Sequence, residues 1–237
     1  MMDPRNVVIF GASGGIGRAL VEAYAGKAAV ESVHAVSRSG NAAFAVDPSA
    51  EDKISQHQAD ITSESDLEAL AAQVGTPDMV ILATGILTDP ETGLTPEKSY
   101  RQQDMVAFEQ VFRTNTFGPA LVAKHFLGRM PREGRCVFAA LAARVGSISD
   151  NGLGGWHAYR ASKAAALNIG RNLATDLKPE GIAVGIYHPG WVRTDMGGQD
   201  GDISVQECAL GLINEFDVLS LDTTGCFHTW DGQVHAY

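Results

Sequence analysis

Short continuous runs of apolar residues recur along this chain, and longer segments of mixed apolar and polar residues separate them. Continuous apolar runs are typical of parallel strands that are covered on both faces, and mixed segments with helical spacing are typical of the helices that cover them. The clearest run is Met79-Val80-Ile81-Leu82-Ala83. On this basis the predicted strands are residues 6–10, 32–36, 53–58, 79–83, 135–140, 182–187 and 225–229.

The mixed segments predict helices between these strands. They cover residues 18–24, a segment from the capping residues 62–65 to residue 74, residues 105–130, a segment within 155–177 and residues 204–216. We expect a kink at Gly118-Pro119, because proline cannot donate a helical hydrogen bond, and a stop at Lys178-Pro179. The polar segment 87–103 is predicted to be a surface loop.

Strands and helices alternate from one end of the chain to the other, without a repeat, a low-complexity tract or a linker. This order predicts the α/β fold class, with a parallel sheet, right-handed crossovers and helices on both faces. The length of 237 residues suffices for one large domain of this class. The sequence therefore predicts a single-domain, Rossmann-type doubly wound parallel sheet over residues 1–237.

Composition narrows the classes of partner. A formal net charge of −10 argues against nucleic acid or an anionic membrane. No apolar run approaches the roughly 20 residues that a membrane-spanning helix needs. The start of the chain, Met1 to Asn6, lacks the charged and apolar regions of a signal peptide, so a cytoplasmic location is expected.

Cysteine and histidine usage argues against disulfides and metal. Cys136, Cys208 and Cys226 are odd in number and far apart, which favours free thiols in a reducing compartment. The 7 histidines show no paired metal-binding spacing. We therefore expect no metal site.

A glycine motif follows the first predicted strand directly. Gly11-x-x-x-Gly15-x-Gly17 stands between that strand and a helix. Glycines in this context let the backbone turn sharply and approach a pyrophosphate, which then meets the free amides of a helix N-terminus. A glycine cluster alone is a weak signal, but its position at the first strand–helix junction favours a dinucleotide site.

The second predicted strand ends in Ser37-Arg38-Ser39. In dinucleotide folds an acidic residue here binds the adenosine ribose of NAD, whereas an arginine accommodates the 2′-phosphate of NADP. The planar guanidinium suits a phosphate because it can donate two hydrogen bonds at once. We interpret Arg38 as a signal for NADP(H); the alternative is a solvated surface arginine.

Tyr159 and Lys163 are four residues apart on a predicted helix, so they lie on the same face. A cation near a phenol lowers the phenol's pKa, and the pair could then exchange a proton with a substrate. The alternative is a boundary tyrosine beside a solvated lysine.

Taken together, these features resemble the short-chain dehydrogenase/reductase family along essentially the whole chain. The resemblance depends on the glycine motif, Asp60-Ile61, Asn115, Tyr159-x-x-x-Lys163 and Pro189-Gly190-x-Val192-x-Thr194, in this order and at these spacings. The segment from Gly146 to Lys163 looks most like the branch that contains C-factor and similar carbonyl reductases.

The resemblance implies a reaction and roles for these residues. Tyr159 would exchange the proton with a carbonyl or alcohol, Lys163 would hold the nicotinamide ribose and lower the pKa of Tyr159, and Asn115 would kink its helix and support a water chain. Asn115 alone could equally satisfy a local backbone group, and Asp60 could be a cap. The implied cofactor-binding residues are Gly11, Ser13, Gly15, Ile16, Gly17, Ser37, Arg38, Asp60, Ile61, Ala83, Thr84, Gly85, Tyr159, Lys163, Pro189, Gly190, Val192 and Thr194.

The chain departs from the family pattern at three places. Phe10 replaces a threonine before the first glycine, and Leu82-Ala83-Thr84-Gly85 replaces an asparagine-rich tetrapeptide. The family's catalytic serine falls at Ala142 or Ala143, and both are alanine. Loss of one such hydrogen-bond donor typically costs about 10²–10³ in rate.

Three explanations for the alanine are open. In the first, the serine was removed deliberately from this chain. In the second, Ser147 or Ser149 reaches the site from the loop. In the third, the protein has given up catalysis and is an NADP(H)-binding sensor or signalling protein. We favour the first two over the third, because Tyr159, Lys163 and Asn115 all remain.

The expected substrate is a small carbonyl or alcohol in a mostly apolar pocket. Its expected walls are Ile86, Leu87, Leu141, Trp156, Trp191 and Met196, although any of these could be a core or surface residue. Small residues along 161–166 would let helices pack closely, and the family often forms dimers or tetramers, so a homodimer or homotetramer is expected.

Overall fold

A single seven-stranded parallel sheet, in the order β3-β2-β1-β4-β5-β6-β7, organises the computed structural model. The structure describes residues 5–237, so residues 1–4 of the predicted domain lie outside the described part. The strands are β1 (Asn6–Phe10), β2 (Ser32–Ser37), β3 (Ile54–Gln58), β4 (Met79–Leu82), β5 (Cys136–Leu141), β6 (Ile182–His188) and β7 (Cys226–Thr229). The predicted fold class and all seven predicted strands are confirmed, with ends that differ by one residue at most.

Seven α-helices accompany this sheet within residues 5–237. They are α1 (Gly15–Gly26), α2 (Pro48–Glu51), α3 (Glu64–Gln73), α4 (Met105–Phe112), α5 (Gly118–Phe126), α6 (His157–Leu177) and α7 (Val205–Val218). The sequence did not predict α2, which is a single turn with proline in its first positions. None of the helices in the described range is long and apolar enough to cross a bilayer.

Each face of the sheet packs against its own apolar core. Successive side chains of a strand point to opposite faces, so Val7 and Ile9 pack with α1 and α7, whereas Val8 and Phe10 pack with α3 and α5. Because both faces are covered, the central strands carry apolar residues at consecutive positions and not only at alternate ones. This is why β4, with no polar residue, is fully buried.

The strand order reverses direction beside β1. The chain builds β1, β2 and β3 outward to one edge and then crosses back to place β4 on the other side of β1. In open α/β sheets, ligands bind at such a switch point, outside the carboxyl ends of the strands. The fold thus positions the residues after β1 and β4 around one crevice.

The predicted helix over 105–130 is broken by a π turn, Arg113–Phe117, between α4 and α5. Pro119 has no N–H to donate to the carbonyl four residues earlier, so the regular ladder cannot pass this point. Instead the Gly118 N–H bonds to the Arg113 carbonyl, five residues back. The regular helix is thus interrupted next to the predicted position, by a widened turn.

Candidate active site

The glycine turn between β1 and α1 has no space for side chains. Gly11 has φ +85°, and a Cβ there would lie 2.5 Å from the Ala83 carbonyl oxygen. A Cβ on Gly17 would lie 2.1 Å from the Gly11 carbonyl oxygen. The turn therefore closes tightly against the end of β4, and the first amides of α1 face the crevice without a side-chain cap.

A cleft of about 860 Å³ opens at the switch point, which is enough for a bound nucleotide. It brings together half of the predicted cofactor residues: Gly11, Ser13, Ser37, Arg38, Asp60, Ile61, Ala83, Thr84 and Gly85. It is also lined by residues that the sequence did not indicate: Thr88, Asp89, Glu91, Gln110, Arg113 and Asp195.

The other predicted cofactor residues lie beside this cleft without lining it. Thr194 packs against the glycine turn, since a Cβ on Gly15 would meet its methyl group at 3.1 Å. Val192 is buried and pairs with Ile203 in an isolated bridge. The remaining members are Ile16, Gly17, Pro189, Gly190, Tyr159 and Lys163.

The end of the cleft near β2 has the polar groups that were predicted. Arg38 is exposed, and among residues 5–237 no carboxylate forms an ion pair with it. The buried Ser37 hydroxyl accepts a hydrogen bond from the Gly40 N–H at 3.1 Å and so shapes the turn that carries Arg38. The guanidinium is thus available to an anion in the cleft.

Asp60 has a structural role at the same end. Its Oδ1 accepts hydrogen bonds from the Thr62 N–H at 2.8 Å and from the Thr62 hydroxyl at 2.9 Å. This fixes the turn after β3, and the residue also lines the cleft. Asp60 is not the cap of the following helix, because the N-cap of α3 is Ser63.

Thr84 marks the centre of the cleft with an unsatisfied group. Its hydroxyl oxygen is buried and has no hydrogen-bond partner within the described residues. Buried polar atoms are nearly always hydrogen-bonded. This oxygen has almost no accessible surface, so it faces the interior, although other atoms of Thr84 line the cleft.

Tyr159 and Lys163 are buried side by side on the first turns of α6. Only 4% of Lys163 is exposed, and its Nζ lies 5.7 Å from the centre of the Tyr159 ring. The same Nζ donates to the Leu141 carbonyl at 3.4 Å and approaches Gly85, where an added Cβ would lie 3.2 Å from it. Because Gly85 lines the cleft, the lysine lies between the nucleotide crevice and the tyrosine.

The expected lowering of the Tyr159 pKa is wrong for this structure. Burial raises the pKa of Tyr159 to about 12 and lowers the pKa of Lys163 to about 8. Both shifts have one cause, because low-dielectric surroundings disfavour a charged phenolate and a charged ammonium alike. The ammonium lies over the ring, and it contributes no resolved lowering of the phenol's pKa.

Asn115 joins the end of β4 to α6 from the π turn. Its Oδ1 accepts from the Ile86 N–H at 2.8 Å, and its Nδ2 donates to the Ile86 carbonyl at 2.9 Å and to the Ser162 hydroxyl at 3.1 Å. The next residue, Thr116, donates to the Ser162 carbonyl at 2.9 Å. The side chain therefore satisfies backbone groups, as one sequence alternative predicts, and it fixes the loop that follows Gly85.

The two alanines at the serine position point to different places. Ala143 packs in the apolar cluster that contains Tyr159. Ala142 packs instead with Leu167, Ile186 and Phe227, in a cluster of its own. Of the two positions at which the family's serine falls, Ala143 is therefore the one that packs with Tyr159, because consecutive residues of an extended chain face opposite ways. Ala142 as the catalytic position does not fit this arrangement, and the choice of Ala143 stays a prediction.

Neither loop serine compensates for the alanine. The Ser147 hydroxyl is buried and accepts from the Asp150 N–H at 3.2 Å. The Ser149 hydroxyl donates to the carbonyl oxygen of Tyr237 at 3.0 Å. The explanation in which one of them reaches the site does not fit this structure.

The structure places the predicted substrate walls in different surroundings. Trp156 contacts the Tyr159 ring edge-on, with ring centres 6.3 Å apart and planes at 77°. Leu141 packs in the core on the opposite face of the sheet, and Met196 lines the nucleotide cleft. Trp191 is half exposed and donates through its indole to the Gly197 carbonyl at 2.6 Å.

Sequence reasoning missed the loop that covers Tyr159. Leu94 is buried in the Tyr159 cluster, and Glu97 is only 5% exposed, although both belong to the segment predicted as surface loop. The predicted walls Ile86 and Leu87 pack against the same cluster. The only local signal was the apolar Leu94 within a polar segment, which a single sequence cannot distinguish from a solvated leucine.

The described residues contain no group of three or more side chains suited to a metal ion. Within residues 5–237 all three cysteines are free thiols, and burial raises the pKa of each.

Comparisons with known proteins agree with this geometry. A sequence model described as short chain dehydrogenase matches residues 5–202. The chain is 35% identical over 129 residues to C-signal of Myxococcus xanthus, covering 54% of this chain and 78% of that protein. It is also 35% identical over 181 residues to 1-hydroxy-2-glutathionyl-2-methyl-3-butene dehydrogenase of Rhodococcus sp. (strain AD45), covering 73% and 76%. The solved structure of an NADPH-bound carbonyl reductase from chicken fatty liver matches with a TM-score of 0.84 and 25% identity, covering 98% of this chain and 99% of that chain.

Proposed function

Because this chain belongs to the short-chain dehydrogenase family, we propose that it is an NADP(H)-dependent oxidoreductase that interconverts an aldehyde or ketone with an alcohol. The observation that carries the proposal is the buried Tyr159–Lys163 pair beside the cleft, with Lys163 next to Gly85. A Rhodococcus relative named as a dehydrogenase and an NADPH-bound carbonyl reductase of similar fold support it.

The residues of the cleft fit a dinucleotide phosphate. The glycine turn provides the close approach and the free amides that a pyrophosphate needs, and Arg38 provides a guanidinium for a 2′-phosphate. Lys163, whose Nζ lies beside Gly85, would bind a polar group at the inner end. When bound, the nicotinamide supplies or accepts the hydride.

Tyr159 would supply the proton to the substrate oxygen. With a pKa of about 12, its phenol remains protonated at neutral pH and is ready to donate. The Lys163 charge would stabilise the phenolate as the proton leaves. The raised pKa keeps Tyr159 protonated at neutral pH, which is the form that carbonyl reduction requires.

The alanine pair predicts a slow enzyme. At Ala143 no hydroxyl is available to stabilise the developing oxyanion, and a missing donor of this kind costs about 10²–10³ in rate. This same observation favours the alternative, a catalytically silent NADP(H)-binding sensor or signalling protein. The alternative predicts nucleotide binding without turnover, and a partner whose binding depends on the nucleotide.

We propose a small-molecule substrate, one catalytic domain over residues 1–237, and assembly as a homodimer or homotetramer, as is common in the family. The first test follows NADPH oxidation with a panel of aldehydes and ketones. We expect slow turnover that Tyr159→Phe abolishes while NADPH binding remains. No turnover by the unchanged chain, together with tight NADPH binding, would favour the sensor.

A further inference from the structure

Helix α6 carries Tyr159 but begins without a cap of its own. Its N-cap residue, Trp156, has no side-chain oxygen and makes no side-chain cap. Its backbone is left-handed, with φ 49° and ψ 45°, a conformation that a bulky residue rarely adopts. The first turn of this helix of 21 residues therefore needs partners from elsewhere.

Glu97 supplies those partners from the loop between β4 and α4. Its carboxylate accepts from the Ala158 N–H, at 3.1 Å for Oε1 and 3.4 Å for Oε2. Its backbone carbonyl accepts from the Trp156 N–H at 2.6 Å. One residue thus holds the strained Trp156 and the first turn of α6 at two points.

The contact between Glu97 and the start of α6 is favourable for a negatively charged carboxylate. The N-terminus of a helix carries partial positive charge, which stabilises a carboxylate placed against it. The Glu97 side chain is 5% exposed, so water does not replace the contact if the carboxylate is removed. The loop around it is itself ordered, since Gln102 accepts through Oε1 from the N–H groups of Lys98 and Ser99.

Glu97 also bonds to the residue that directly precedes the catalytic tyrosine. Ala158, which it holds, precedes Tyr159, and Trp156 contacts the Tyr159 ring. Leu94, three residues before Glu97, packs in the Tyr159 cluster. The same contact therefore fixes both the position of the Tyr159 phenol and the loop around Leu94 that covers it.

We propose that Glu97 is a positioning residue, which holds the start of α6 so that the Tyr159 hydroxyl meets the substrate oxygen and keeps the Leu94 loop closed over it. This inference rests on the proposed reductase function. Glu97 does not transfer the proton. Its effect is on geometry, where a misplacement of about 1 Å can cost roughly 10²-fold in rate.

The test compares Glu97→Ala and Glu97→Gln with Ser204→Ala, which removes the side-chain cap of α7. Glu97→Ala should lower kcat for carbonyl reduction by roughly 10–100-fold, and Glu97→Gln, which keeps an acceptor oxygen, should recover most of this loss. The NADPH Kd should remain within about two-fold in both, because Glu97 does not line the cleft. Ser204→Ala should lower the melting temperature without lowering kcat.

Three outcomes decide the matter. If Glu97→Ala lowers kcat and Glu97→Gln restores it, the inference holds. If Glu97→Ala changes kcat no more than Ser204→Ala does, it is overturned. If the unchanged chain reduces no carbonyl, the proposed function fails, and amide exchange at Ala158 and Tyr159 then decides: faster exchange in Glu97→Ala but not in Glu97→Gln supports positioning, and equal exchange rejects it.

Discussion

Restoring a hydroxyl beside Tyr159 is the sharpest way to test how this site works. Ala143 lies in the Tyr159 cluster, so a serine there would place an O–H donor next to the phenol. Ala142 faces Leu167, Ile186 and Phe227, so a serine there would bury the same group away from the reaction. Ala143→Ser and Ala142→Ser thus add the same hydroxyl group at adjacent positions, and we expect only Ala143→Ser to raise the rate.

The expected gain follows from two opposing effects. A preorganised donor to a developing oxyanion is worth about 3–4 kcal/mol. Ala143 is only 7% exposed, so its hydroxyl loses water on burial, at a cost of about 1–2 kcal/mol until a substrate oxygen accepts its hydrogen bond. About 1–3 kcal/mol remains, which corresponds to a rise in kcat/KM of roughly 5–160-fold.

The assay is NADPH consumption with the best aldehyde or ketone of the panel, together with thermal unfolding of each variant. Ala143→Ser should accelerate turnover and lose some stability, whereas Ala142→Ser should lose stability and gain no rate. Acceleration by Ala142→Ser alone would refute the assignment of Ala143. No acceleration by either, in a chain that still binds NADPH, would refute the view that a missing donor limits the rate.

Three further changes test the cleft and the buried pair. Arg38→Ala should weaken NADPH binding by roughly 10–100-fold and leave NADH binding nearly unchanged, measured by calorimetry; equal losses would reject a 2′-phosphate site. Burial lowers the pKa of Lys163 from 10.5 to about 8, so the unfolded chain binds more protons than the folded chain between these pH values. The free energy of unfolding should therefore rise with pH in that window. Lys163→Met should remove this rise, as measured by urea titrations at several pH values. Gly17→Ala should abolish nucleotide binding and destabilise the fold, because its Cβ would lie 2.1 Å from a carbonyl oxygen, whereas Gly26→Ala, with no atom within 4 Å, should be tolerated; equal effects in thermal unfolding would contradict the steric argument.

The sequence predicts those features of the fold that depend on residues close together in the chain. The strands could be predicted because a doubly covered sheet favours runs of consecutive apolar residues, as in β4. The glycine turn could be predicted because only a residue without Cβ fits at Gly11 and Gly17. The break in the helix could be predicted because Pro119 interrupts the hydrogen-bond ladder at a known place.

What the sequence does not predict depends on contacts between distant segments. Glu97 and Leu94 look solvated in a polar segment, and only their packing on α6 and Tyr159 makes them part of the site. The pKa of Tyr159 depends on how far α6 buries it, a quantity that four-residue spacing does not contain. The choice between Ala142 and Ala143 required the direction of each Cβ, which changes with a shift of one residue.

The widened turn at residues 113–117 also constrains how this region can vary in length. A π turn is equivalent to one extra residue in a regular helix, and it brings Asn115 and Thr116 together onto α6, where they bond to the hydroxyl and the carbonyl of Ser162. A homologue that is one residue shorter between α4 and α5, and that lacks the proline, could form an uninterrupted helix, but its neighbouring side chains would diverge by about 100°. It would then keep one of these two bonds to α6 and lose the other.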